Sequence, residues 1–369
     1  MSVLVSLIRN ELEKTWRSRW IVFAVVFGLF LLIAGGLYIY YVASQHRWTP
    51  PTPVPWQAQL RDQIKANQTE IANLEQVKQQ AQGGTIRIGG RGGPDLSLDQ
   101  AIAQSKQAIT DDQYLIDNNI APVQSFPVAQ AALFALGGIV MFLLTRIFGW
   151  LASEQVAGER SDRTLTTLLS RPPTRNQVLL AKAIASFLIG LVVVVVTLLF
   201  VYAAFSFFLG SPGSLTDQSG VALDGSKALG PGNLLQLPVW LFVLMCLGGA
   251  MLGVLCVQGM SLLVSVVTGR WAAIGITLAL LFGAPLVSTV VAGILFLISG
   301  SQDSSHFLNY FFFNVLLPAG SVAPSFGNTT AAAGSGVNEF TAEVESLAVW
   351  TFAFFLAAWL LFRRKQEAG

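Results

Sequence analysis

Residues 153–182 read SEQVAGERSDRTLTTLLSRPPTRNQVLLAK, a polar segment between two long apolar runs. It carries five basic against three acidic residues, and basic loops of this kind stay on the cytoplasmic side of a membrane. Leucines three to four residues apart predict a short amphipathic helix in its centre. Asp162 can cap this helix and Pro172 ends it, and Thr174 is placed to cap the next helix. The sequence therefore predicts a cytoplasmic segment, 152–182, that presents a small docking helix.

The composition places the chain in a membrane. Of its 369 residues 53% are hydrophobic and 11% are charged, whereas a soluble domain usually carries about 25% charged residues. The net charge is +2 and the basic residues gather at membrane edges, which argues against a nucleic-acid partner. Two cysteines in one apolar run, two histidines and no metal-ligand spacing argue against a metal enzyme.

The expected fold is an all-α integral membrane protein with an N-terminal interfacial helix at 1–19 and a cytoplasmic tail at 363–369. Its six transmembrane helices are expected at 20–43, 127–151, 183–209, 237–267, 272–298 and 347–362. The cytoplasmic segments and edges hold 14 of the 22 Lys and Arg residues, so both termini are expected in the cytoplasm. Within the spans, we expect Arg146 to reach the lipid headgroups and Pro285 to kink its helix.

Three segments are expected outside the membrane on the far side. Residues 44–126 predict a helical hairpin with a coiled-coil-like apolar seam over 56–118 and a glycine-rich tip. This hairpin is either an interaction or gating element or a solvated insertion, and we expect it to pack against a neighbour. Residues 210–236 predict a polar loop, and residues 299–346 a loop that contains a re-entrant or interfacial segment.

The docking segment resembles a known family. Gly158-Glu159-Arg160, Thr164-Leu165, Leu168-Leu169-Ser170-Arg171-Pro172 and Arg175 look like the "GER-x-x-GTL-x-x-LLS-RP-x-x-R" segment of ABC-2-type permeases, the membrane subunits of one class of ABC transporter. The sequence departs from this pattern at Arg163, where the family usually has Gly, and at Thr166, where it often has Glu.

The resemblance implies a coupling helix that docks on a separate ABC ATPase, and a connecting helix at the N-terminus. It implies two ATPase copies, each binding ATP and Mg, and a second permease copy or a homologous permease, with no cofactor and no catalysis on this chain. The residues expected to bind the ATPase or position the coupling helix are Glu154, Glu159, Arg160, Asp162, Arg163, Thr164, Leu165, Leu168, Leu169, Arg171, Pro172 and Arg175. Gln258, a lone polar residue inside a span, is either an interhelical hydrogen-bond partner or a substrate contact.

These observations favour the permease of an ATP-driven exporter of a hydrophobic or amphipathic compound in a prokaryotic plasma membrane. The chain carries no nucleotide-binding motif, so the energy must come from a partner. A second possibility is a membrane subunit that passes ATPase work to an external partner through the 56–118 hairpin. A third, an ATP-independent carrier, requires more polar residues along a path than the spans provide.

Overall fold

The computed structural model describes residues 3–18, 56–80, 87–88, 96–122, 129, 132, 136, 139–161, 174–209, 215–224, 229–299 and 337–364. Within them lie the helices α1 (Val3–Ser18), α2 (Trp56–Gln80), α3 (Leu98–Asp117), α4 (Ile139–Ser161), α5 (Arg175–Leu209), α6 (Val239–Val267), α7 (Arg270–Ser299) and α8 (Val337–Arg364). The strands are β1 (Arg87–Ile88), β2 (Leu96–Ser97), β3 (Gln218–Ala222) and β4 (Leu234–Pro238).

The described part of the chain is mostly helical and is built to lie in a membrane. Three of its helical stretches are long and apolar enough to cross one, Asn176–Ala203, Val239–Val267 and Phe340–Arg364, and Arg270–Gly283 is a shorter apolar helix. The predicted span at 20–43, most of residues 127–138 and the predicted re-entrant segment lie outside the described residues.

The all-α prediction is wrong in the region after the third predicted span, because β3 and β4 form an antiparallel hairpin there. Ser219 Oγ donates to the Leu237 carbonyl at 2.9 Å within this sheet. A residue that precedes proline avoids helical backbone angles, so Leu237 remains extended and α6 starts only at Val239, with Pro238 at its N-cap. A second pair of short strands, β1 and β2, lies near the tip of the external hairpin.

The two arms expected at 56–118 are α2 and α3, which pack antiparallel against each other. Gln57 Nε2 donates to Asn119 Oδ1 at the base of the hairpin, 3.1 Å away, and Lys78 pairs with Asp99 near its tip. The base docks on the β3–β4 hairpin, where the Gly220 amide donates to the Ala121 carbonyl at 2.9 Å. The neighbour that stabilises the external hairpin is therefore a segment of the same chain.

Two carboxylates of α3, Asp111 and Asp112, are fully buried. Asp111 Oδ1 accepts the backbone N–H of Leu229 at 2.8 Å, which links α3 to the segment between β3 and β4. Neither carboxylate oxygen of Asp112 has a hydrogen-bond partner in the described structure. Burial and, to a smaller extent, the negative charge of the neighbouring Asp111 together raise the pKa of Asp112 to about 7. Burial also raises the pKa of Asp111, against the lowering effect of its hydrogen bond to Leu229.

Inside the membrane, α6 is the central helix. Its buried residues lie on all sides of its axis, and it packs against α4, α5, α7 and α8. A helix that is apolar all round belongs in the core of a bundle. Gly259 of α6 allows the close approach of α8, because an added Cβ would come within 3.1 Å of the Phe355 ring.

The sequence predicts that Arg146 of α4 reaches the lipid headgroups, and this prediction is wrong. Its side chain is buried inside the bundle, with 4% of its surface exposed. Its Nη1 donates to the Phe142 carbonyl at 3.0 Å and to Thr145 Oγ1 at 2.9 Å. Its Nη2 donates to the carbonyl of Leu281 in α7 at 2.8 Å. Protein acceptors therefore replace the water and headgroups that a snorkelling side chain would find.

Two glycines of α4 provide a matched test of this packing. A Cβ on Gly149 would lie 2.5 Å from Leu281 Cδ1 and 3.2 Å from both Thr277 Cγ2 and Val257 Cγ1, whereas a Cβ on Gly158 meets nothing within 4 Å. We expect Gly149→Ala to destabilise the membrane core by about 1–3 kcal/mol through overpacking. Gly158→Ala should stabilise the isolated chain by about 0.5–1 kcal/mol through its higher helix propensity. Thermal unfolding in detergent measures both, and equal shifts of the same sign would contradict the described approach of α4 to α7.

Candidate functional site at the C-terminal end of α4

The predicted docking segment begins as a continuation of α4, which runs to Ser161, beyond the predicted end of its span at residue 151. α5 begins at Arg175, immediately after Thr174, as predicted. The Thr174 backbone N–H donates to Gln177 Oε1 at 3.0 Å, the return half of a capping box. The end of α4 and the start of α5 are therefore the two points that residues 162–173 connect.

Most of the predicted ATPase contacts lie between these two helices and outside the described residues. These are Asp162, Arg163, Thr164, Leu165, Leu168, Leu169, Arg171 and Pro172. Arg160 and Arg175 lie on described backbone at the ends of α4 and α5, but their side chains are outside the described set. Their roles remain predictions.

Glu159 belongs to a largely buried charge cluster that we define as Glu11, Lys14, Glu159 and Lys182, in which the Lys14 side chain is about half exposed (49%). Glu159 is 4% exposed and Lys182 is 1% exposed. Lys182 Nζ lies 2.7 Å from Glu159 Oε1 and 3.0 Å from Glu11 Oε1, and Lys14 also pairs with Glu159. Because Glu11 and Lys14 belong to α1, Glu159 to α4 and Lys182 to α5, the cluster joins three helices.

The electrostatics of the cluster favour its charged form. Burial by itself raises the pKa of the Glu159 carboxyl, but Lys182 and Lys14 outweigh burial and hold the pKa below its ordinary value. A lowered carboxyl pKa in the folded protein means that ionised Glu159 stabilises the fold at neutral pH. This contribution is lost only as the pH falls through the lowered pKa, far from physiological pH. Two carboxylates alternate with two ammonium groups, so burial leaves no net charge uncompensated.

Contacts with three further residues hold the last turns of α4. Ser265 Oγ of α6 accepts the backbone N–H groups of Val156, at 3.2 Å, and Ala157, at 2.8 Å. Gln155 Nε2 donates to Ser186 Oγ of α5 at 2.8 Å. Glu154 lies 3.6 Å from Arg270 at the start of α7. The end of α4 is therefore connected to α1, α5, α6 and α7 at the point where it enters the docking segment.

The structure changes how two of the predicted site residues are interpreted. Glu159, expected among the ATPase contacts, uses its carboxylate for ion pairs with Lys14 and Lys182 of the same chain. Gln258 of α6 donates from Nε2 to the Ser186 carbonyl of α5 at 3.0 Å and is 1% exposed. This contact is the interhelical hydrogen bond that the sequence allows for Gln258.

Sequence reasoning missed Glu11, Lys14 and Lys182 as site residues. A signal was present for Glu11, because it follows Leu4 and Ile8 at helical spacing and so borders the apolar face of the amphipathic N-terminal helix. Lys182 is a charged residue at the start of a long apolar run. A buried cation there requires a buried anion, but the sequence alone does not show which carboxylate supplies it.

Comparison with known proteins identifies the family of the chain. No curated protein matches the chain significantly. The sequence profile of the ABC-2 family transporter proteins matches residues 5–366, which span all described helices except the first two residues of α1. The chain is therefore a membrane protein of the ABC-2 transporter family.

Proposed function

We propose that the chain is the permease subunit of an ATP-driven exporter, coupled to a separate ATPase through the segment near 159–171. The observation that carries the proposal is the buried charge cluster, which joins the N-terminal helix to both flanks of the docking segment. Family membership supports a permease role and, in general, an ABC ATPase as partner. ATP and Mg would be bound by that ATPase.

The proposed coupling between the ATPase and the membrane helices depends on the contacts that hold α4 and α5 together on either side of the docking segment. Glu159 lies two residues before the end of α4, and Lys182 lies two turns into α5. Their ion pair at 2.7 Å fixes the two helices to each other close to the points where the docking segment leaves and returns. A displacement of that segment by the closing ATPase would therefore move α4, α5 and the attached α1 together.

The remaining features of the assembly are also proposals. Two permease copies would work with two ATPase copies, with both termini in the cytoplasm of a prokaryotic cell. The exported compound would be hydrophobic or amphipathic, because described segments with strongly apolar composition, such as α6 and the first half of α7, form the membrane core. Arg160, Asp162, Arg163, Arg171 and Arg175 are the charged residues proposed to contact the ATPase.

Glu159→Lys tests the coupling role. The variant places a third ammonium group beside Lys14 and Lys182, so α1 should separate from α4 while the protein still inserts into the membrane. We expect substrate export to fall at least tenfold, with the ATPase still able to hydrolyse ATP. The measurement is export from vesicles together with ATP hydrolysis by the affinity-purified complex.

The control for this variant is Glu13→Lys, which makes the same charge change on the exposed face of α1, where Glu13 pairs only at the surface with Arg9 at 3.1 Å. Exposed pairs of this kind contribute little, so export should be retained. Unchanged export in Glu159→Lys would contradict the coupling role. Failure of any P-loop ATPase to co-purify with the wild-type chain would overturn the permease proposal itself.

A second candidate function is transmission of ATPase work to an external partner through the α2–α3 hairpin. The supporting observation is that the hairpin docks on β3–β4, and β4 passes directly into α6, the central membrane helix. Replacing residues 71–106 by a short Gly-Ser turn would remove the tip and keep the docked base. An exporter should retain transport in this variant, whereas a transmitter should lose its function and keep basal ATP hydrolysis.

A further inference from the structure

α7 continues as a helix through Pro285. In an α-helix, the backbone N–H of each residue donates to the carbonyl four residues earlier. Proline has no N–H, so the carbonyl of Leu281 has no intrahelical donor at position 285. In a membrane core without water, an unpaired carbonyl costs several kcal/mol, and another group must supply the hydrogen bond.

Arg146 of α4 supplies that hydrogen bond. Its Nη2 lies 2.8 Å from the Leu281 carbonyl oxygen, and its guanidinium carbon lies 3.4 Å from the centre of the Phe142 ring and 5.5 Å from that of Phe282. Within the described residues, Arg146 forms no ion pair with a carboxylate. A charged side chain inside a membrane bundle needs polar partners. The Leu281 carbonyl, which lacks an intrahelical donor because of Pro285, is one such partner.

The contact lies where α4 and α7 pack closely against each other. Gly149, three residues after Arg146, leaves room for Leu281, whose Cδ1 would lie only 2.5 Å from a Cβ at position 149. The rings of Phe142 and Phe282 meet edge to face, with their centres 6.2 Å apart. One turn of α7, immediately before its proline, is therefore fixed to α4 by a hydrogen bond, a close backbone approach and a ring contact.

We propose that Arg146 is a positioning residue that replaces the hydrogen bond lost at Pro285 and thereby holds the proline-containing turn of α7 against α4. If the proposed coupling function is correct, on which this further step rests, a displacement of the docking segment passes along α4 from Glu159 to Arg146 and reaches α7 at Leu281. The residues of α7 before Pro285 then move with α4. Arg146 acts through the position of α7 and needs no contact with the transported compound.

A double-mutant cycle on the full-length protein in detergent tests the assignment, with thermal unfolding as the readout. Arg146→Met leaves the Leu281 carbonyl without a donor and should lower the melting temperature by several degrees. Pro285→Ala restores a backbone N–H at position 285, so adding it to Arg146→Met should recover more than half of that loss. In the wild-type background, Pro285→Ala should change the melting temperature much less. A merely additive result, with no rescue, would overturn the assignment.

Arg270→Met is the matched control, because Arg270 lies on the same helix but pairs with Glu154. Its effect should add to that of Pro285→Ala without rescue. If Arg146→Met does not fold, Arg146→Lys takes its place in the cycle, because it keeps the charge but cannot reach both acceptors, and the same rescue is expected. The cycle needs only the folded membrane subunit. An additive result therefore overturns the role of Arg146 alone, whereas absence of a co-purifying ATPase overturns the proposed function and leaves the cycle unaffected.

Discussion

Replacing Lys182 by methionine is expected to lower the free energy of unfolding by about 3–5 kcal/mol, the usual effect of removing one partner from a buried ion pair. Lys182 is almost fully buried and lies between Glu11 and Glu159. Methionine fills a similar volume, so the loss reports on charge rather than on a cavity. Two buried carboxylates would face each other without the ammonium group between them.

The measurement is amide hydrogen exchange of α1 in the detergent-purified protein, together with thermal unfolding. Exchange in α1 should accelerate, because its docking depends on Glu11 and Lys14. Adding Glu159→Gln to Lys182→Met removes one of the opposed charges and should recover part of the loss. Glu13→Gln, on the exposed face of α1, serves as the control and should stay within about 0.5 kcal/mol of wild type. Unchanged exchange in Lys182→Met would show that α1 is held by its apolar face alone.

The α2–α3 hairpin is expected to become less stable as the pH rises from about 4 to about 7. The pKa of Asp112 is raised from 3.8 to about 7 in the folded protein, so the folded state binds a proton that the unfolded state has already released. Stability therefore falls with pH between these two values and levels off above the higher one. The full effect is about 4 kcal/mol, since the rise of the pKa from 3.8 to about 7 is worth about 1.4 kcal/mol for each pKa unit.

Asp112→Asn should remove most of this pH dependence, because the amide keeps the shape of the side chain and does not ionise. The readout is the protection of α3 amides, corrected for the chemical exchange rate at each pH. Asp62→Asn is the control, since Asp62 is exposed on α2 and pairs only with Lys65, 3.6 Å away. An identical pH slope in wild type and Asp112→Asn would mean that Asp112 is solvated in solution.

The sequence predicts those parts of the fold that depend on the order of neighbouring residues, such as where a helix starts and which of its faces is apolar. Thr174 locates the start of α5, because helix caps depend on neighbouring residues. The apolar seam of α2 and α3 is likewise a local periodic pattern. The prediction of a polar loop at 210–236 did not include the pairing of β3 with β4. Both strands are short, and their pairing depends on contacts between residues distant in sequence.

The buried charges show why the candidate site was harder to predict. Glu159 and Lys14 are 145 residues apart in sequence, and nothing local indicates that they meet. The hydrogen bond from Arg146 to Leu281 spans 135 residues. Each charged residue by itself indicates an exposed or membrane-edge position, and only the packing of α1, α4, α5 and α7 reveals the buried partner.

The junction between β4 and α6 has a consequence for the evolution and labelling of the protein. β4 ends at Pro238 and α6 begins at Val239, so no linker residue separates the external sheet from the central helix. One inserted residue at this junction would rotate α6 by about 100° about its axis and turn its packing surfaces away from α4 and α8. An insertion between β1 and β2 would only lengthen a connecting loop. Relatives should therefore differ in length at the hairpin tip and keep the junction constant, and an epitope tag belongs at the tip.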